Sequence, residues 1–150
     1  MTKVIAVMLL LFTSQVLAEE IGSVNTAFKL FGSSDRIVIE AFDDPKVAGI
    51  SCHLSRAVKG GLSGAIGFAT DSSDASIACR QVGPIVVKGK LKDGESVFSK
   101  STSFLFKKMR VVRFLDTTRN VFIYLTYSDK LIDGSPKNSI SSVPIVVWNK

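Results

Sequence analysis

Histidine is nearly missing from this chain: His53 is the only one in 150 residues. Zinc sites draw three or four nitrogen or sulfur ligands, and a Ser-His-Asp triad needs partners placed in space, so one histidine supports neither by itself. Cysteine is almost as scarce, with Cys52 and Cys79 alone. Repeats of 20–50 residues and low-complexity tracts are missing, which excludes a solenoid. The glycine-rich stretch 59–67 (KGGLSGAIG) lacks the G-K-[ST] ending of a phosphate loop and the G-x-G core of a dinucleotide fingerprint. It reads as a flexible loop or a closely packed backbone. The D-x-[DN]-x-[DN]-G calcium pattern is also missing around Asp43, Asp44, Asp71 and Asp74, and Asp44-Pro45 reads as turn chemistry. No cofactor and no metal is expected.

The chain opens as an export signal. Lys3 gives a positive start, residues 4–12 (VIAVMLLLF) are uncharged and apolar, and Val16 and Ala18 occupy the −3 and −1 positions of a cleavage site. The apolar run falls short of the roughly 20 residues that span a bilayer, so no transmembrane anchor is expected after cleavage. Residues 1–18 are therefore expected to be a cleaved signal peptide, with one domain over 19–150. Cleavage removes Lys3 and no acid, taking the formal charge from +6 to +5. Part of the mean hydropathy of +0.30 belongs to the leader. The remaining basic excess speaks first of solubility, and nucleic acid is not expected as a partner.

In an exported chain two cysteines favour a disulfide over a metal site or a redox pair. Such a link would staple the glycine- and serine-rich stretch between Cys52 and Cys79. The alternative makes one cysteine a nucleophile beside His53. Neighbours in a strand point to opposite faces, which works against that dyad.

Segments of β character dominate. Strands are expected over residues 21–31, 36–42, 47–54, 77–81, 84–87, 97–106 and 143–148, with a kink or bulge at Val82-Gly83. The strongest signal is a hairpin: 109–115 (MRVVRFL) and 121–127 (VFIYLTY) flank the polar link 116–120. Residues 88–96, with Gly89 and Asp93-Gly94, read as a loop or a hairpin turn. Helix signals are thin: a short helix over 71–78, capped by Asp71 or Ser72, and one turn over 139–143. The expected fold is mostly β (all-β or β-rich α+β), a single antiparallel-sheet domain stapled by one disulfide and preceded by the signal-peptide helix. Sandwich, barrel and open sheet stay open.

Two surfaces carry the binding expectation. Lys107, Lys108, Arg110 and Arg113 form a basic stripe interleaved with apolar residues, suited to polyanions or membrane head groups, or else the wet face of a strand. Ser135, Pro136, Lys137 and Asn138 form a turn-rich loop.

These residues together resemble the CreA family of small exported bacterial proteins. The resemblance is carried by Glu19-Glu20-Ile21-Gly22-Ser23-Val24, Ala41-Phe42-Asp43-Asp44-Pro45, Cys52, Gly60-Gly61 and Asp71-Ser72-Ser73-Asp74-Ala75. It continues through Cys79, Gln81-Val82-Gly83-Pro84-Ile85, Val111-Val112-Arg113-Phe114, Tyr127-Ser128-Asp129-Lys130 and Gly134-Ser135-Pro136-Lys137-Asn138. It covers nearly all of the mature chain and departs in the leader and around residues 88–96. It implies a periplasmic single-domain protein with two cysteines, and brings no catalytic residue set.

The functional expectation is a periplasmic binding or interaction module that meets an anionic envelope component or another periplasmic protein. The competing reading is an envelope-acting hydrolase using His53 or the Asp43, Asp44, Asp71 and Asp74 carboxylates, which would have to converge in one cleft. Redox-active thiols are a third. An enzyme is the less favoured class.

Overall fold

The computed structural model describes residues 17–27, 34–60, 75–101, 108–129 and 137–149. The segment expected to be a leader, apart from Leu17 and Ala18, lies outside them, as do Asp71, Asp74, Lys107, Ser135 and Pro136. The described residues form eight strands: β1 (Glu19–Ala27), β2 (Asp35–Asp43), β3 (Val47–Val58), β4 (Ala75–Val87), β5 (Glu95–Ser101), β6 (Lys108–Asp116), β7 (Val121–Asp129) and β8 (Asn138–Pro144). They make two antiparallel four-stranded meanders, β1-β2-β3-β4 and β5-β6-β7-β8.

One core lies between the sheets. Alternation turns Phe42, Cys52, Leu54, Ile77 and Cys79 inward from the first sheet. Val97, Phe98, Met109, Val111, Phe122, Tyr124 and Val143 come from the second. Phe42 and Phe98 stack across the gap with ring centroids 4.6 Å apart. The architecture is thus two sheets packed face to face, a choice the sequence left open. Cys52 and Cys79 stand directly opposite in the β3–β4 register and form the disulfide, both fully buried.

The predicted hairpin is present as β6 and β7, in unbroken register from Lys108↔Asp129 to Asp116↔Val121. The kink expected at Val82-Gly83 is a bulge in β4: partners jump from Ile50↔Gln81 to Ala48↔Val86 across Gly49. Gly49 takes φ +87°, and a Cβ there would sit 2.3 Å from the Pro84 carbonyl oxygen, so the crossing needs glycine.

Three expectations fall. Residues 75–78 of the predicted helix are the start of β4, paired antiparallel with β3 from Arg56↔Ala75 to His53↔Ala78, with Ile77 turned into the core. Residues 139–143 belong to β8, where Ile140 and Ser142 face outward and Val143 is buried. The strand placed over 143–148 is instead β8 ending at Pro144, with an extended tail beyond. Side-chain amides hold that tail: Gln81 Nε2 donates to the Val146 carbonyl (2.9 Å) and Val146 N–H donates to Gln81 Oε1 (3.1 Å).

Candidate functional site

The sandwich interior is not purely apolar. Asp44, in the β2–β3 turn, accepts from the backbone N–H groups of Lys46 (2.8 Å) and Val47 (3.0 Å), as its place before Pro45 suggests. It also reaches into the second sheet. Arg113 Nη1 donates to both carboxylate oxygens (2.6 and 2.7 Å), and the Tyr124 hydroxyl donates to Oδ2 (2.8 Å). Arg113 Nη2 continues to Glu95 (2.7 Å), which Lys46 pairs from the other side. Two acids and two bases balance, so the group is neutral. Burial, and then the Asp44 carboxylate, push the Tyr124 hydroxyl far above its ordinary pKa. The Lys46 hydrogen bond holds Glu95 below its usual range.

A second cluster lies further along. Glu40, buried on β2, is gripped by Arg56 of β3 (2.8 and 3.2 Å) and by Lys100 of β5 in the other sheet. Burial alone would raise the Glu40 pKa; the hydrogen bonds from Arg56 and then Lys100 outweigh it and hold the carboxyl low. Both clusters fasten one sheet to the other, and the sequence reading missed both. For Asp44 the signal was available: an acid in a turn, beside an otherwise apolar strand pattern.

The hydrolase constellation does not assemble among the described residues. His53 is exposed on the outward face of the first sheet, in register with Ala41 and Ala78, while Cys52 beside it faces the core. Asp43 is exposed, and Asp44 is buried with both oxygens engaged. Asp71 and Asp74 lie outside the described residues. Among these residues no three His, Cys, Asp or Glu side chains gather as metal ligands.

The basic stripe is split. Lys108 is exposed and Arg110 is half-exposed, donating to Asp129 (2.6 Å), which raises the Arg110 pKa. Arg113 is 1% exposed and belongs to the interior pair, so it leaves the proposed surface. The reason is parity: residues 110 and 113 are three apart, which places them on opposite faces of a strand.

Register brings the remaining candidates together. Arg110 pairs with Tyr127 and Tyr127 with Asn138, so all three share the outward face of the second sheet; Lys137, also exposed, precedes Asn138. The adjacent rows of that face are Val112–Leu125–Ile140 and Phe114–Ile123–Ser142; Val112 is buried and Leu125 and Ile123 are half-buried, so Ile140 and Phe114 are its exposed apolar side chains. A basic and polar end thus adjoins an apolar middle.

These features define a class: a disulfide-stapled, two-sheet β protein whose buried acids and bases tie the sheets together. Comparison with known proteins gives its place within that class. The model of the CreA protein family matches residues 21–148. Protein CreA of Escherichia coli K12 is 53% identical over 137 residues, covering 89% of this chain and 87% of its own length. Protein CreA from Escherichia coli O6:H1 and from O157:H7 match to the same extent. The chain belongs to the CreA family. No solved structure matches it.

Proposed function

We propose that this is an exported interaction module that acts by presenting the outward face of its second sheet to a partner in the envelope. The observation that carries the reading is the composition of that face. Arg110, Tyr127 and Asn138 adjoin the exposed Ile140, with Lys108 at the end. An outward sheet face that met only water would alternate to polar residues here. Instead Ile140 is 62% exposed and Phe114 is also exposed, the marks of a contact surface. The partner is an anionic envelope component or another periplasmic protein.

Export is supported by the leader sequence, with cleavage after Ala18 and a mature domain over 19–150, and by the disulfide. Mass spectrometry of periplasmic protein, with and without a thiol label, tests it. A chain starting at Glu19 with both thiols protected supports export; a retained Met1 or labelled cysteines refute it. For the face, a photo-crosslinking residue replacing Ile140 should give adducts that one replacing His53, on the opposite outer face, does not. Charge reversal at Lys108 and Arg110 should remove them. Equal adducts from both positions, or none from 140, would refute the assignment.

A further inference from the structure

A second surface lies along the seam between β4 and the C-terminal tail. Gln81 clamps the Val146 backbone, which sets Val82 and Val146 beside the same pair of hydrogen bonds. A shallow groove runs along this seam between Arg80 and Gln81 on one side and Ser142, Pro144 and Val146 on the other. The apolar side chains here stay in water: Val82 and Val146 are each 56% exposed, Val147 is 85% and Trp148 is 40%. Val86 and Val87 extend the exposure to the end of β4.

Along these segments the charge is of one sign, and the exposed Asp43 stands two strands away on the Asp43–Ser51–Arg80 row. Residues 79–92 and 141–149 carry Arg80, Lys88, Lys90 and Lys92 and not one acid. All four are exposed, and none is in an ion pair with a described residue. Of the next acids along the chain, Asp93 accepts from the Leu115 N–H and Glu95 is held by Arg113 and Lys46.

We propose that this strip docks the protein onto an anionic lipid surface. A second copy fits poorly, since a two-fold contact sets the same patch against itself and brings its cations together. Head groups of anionic lipid answer the cations, and the acyl boundary takes the valines. Tryptophan favours that same boundary, where an apolar ring and a polar N–H are both satisfied. The strip meets the outward face of the second sheet at Ser142 and shares neither Lys108 and Arg110 nor Ile140 with it. Its failure leaves the interaction reading standing; export bears on it only by placing the protein beside a membrane.

Trp148 is the chain's only tryptophan and sits in the strip, so its emission reports docking directly. Protein recovered from an exporting host, its N-terminus first read by mass spectrometry, is titrated with phosphatidylcholine vesicles with and without phosphatidylglycerol, alongside co-sedimentation. The expected result is a blue shift and co-sedimentation on anionic vesicles only, weakened by salt. Lys88→Gln with Lys90→Gln should weaken partitioning about thirtyfold. Val147→Asp, at a site too exposed to disturb folding, should abolish the shift. All variants keep the same N-terminus, so any leader contribution cancels. No binding to anionic vesicles, equal binding to neutral ones, or a concentration-dependent shift without lipid would each overturn the proposal, the last in favour of self-association.

Discussion

Replacing Arg113 with methionine should cost more than any single substitution at an exposed charge, because it cuts the tie between the sheets from inside. The side chain of Arg113 is 2% exposed and makes three charge-assisted hydrogen bonds of 2.6 to 2.7 Å, two to Asp44 and one to Glu95. Methionine fills much of the volume, so the loss is electrostatic more than steric. Glu95 keeps Lys46. Asp44 keeps two backbone N–H groups and Tyr124, but its charge stays buried without a cation. Removing one member of a buried pair costs about 3–5 kcal/mol, a large share of the 5–15 kcal/mol typical of a whole domain. For a chain of this size that is a fall of about 10–15 °C in Tm.

The assay is denaturant unfolding with the disulfide intact, reading the midpoint at unchanged m. Asp44→Asn in the Arg113→Met background should recover much of the loss. Asparagine retains an oxygen for Lys46 and Val47 and removes the stranded charge. The coupling between the two sites should exceed about 1.5 kcal/mol. A single-mutant cost below about 1 kcal/mol, or losses that simply add, would show that Arg113 and Asp44 do not hold the sheets as a pair.

Gly49→Ala should destabilise by more than about 2 kcal/mol, combining positive φ with a Cβ 2.3 Å from the Pro84 carbonyl. Gly22→Ala, with nothing within 4 Å of the new carbon, should stay within about 0.5 kcal/mol in the same melts, and equal costs would refute the close-approach account. Glu40 and Glu95 have folded-state pKa values below the ordinary 4.5, so the folded form binds their protons less readily than the unfolded chain. Their stabilisation is whole above about pH 4.5 and is lost as pH falls through the lowered values. Unfolding midpoints measured from pH 7 down to acid should therefore drop below that point, and Glu40→Gln should flatten the drop; an unchanged slope would refute it.

Most of the strand content was legible because β pairing leaves a local trace: alternation, β-branched runs and turn residues at the breaks. The β6–β7 hairpin and the β4 bulge were readable for that reason, and so was the Asp44 turn. Short helical signals failed where pairing competed with them. Asp71 and Ser72 looked like caps for a helix over 71–78, yet Ala75 to Ala78 lie on β4 opposite Arg56 to His53, a long-range match that no cap can outbid. The interior ion pairs were illegible for a related reason. Asp44 and Arg113 are 69 residues apart, and nothing local names one as the partner of the other. Their burial was nonetheless half visible. In MRVVRFL the bases stand at 110 and 113, and an odd spacing within a strand cannot keep both on one wet face. Once Val111 is taken as core, Arg113 follows it inward, and a buried guanidinium requires a buried carboxylate. One acid is Glu95, the cross-strand neighbour of Arg113 on β5, and the other is Asp44, supplied by the β2–β3 turn of the facing sheet.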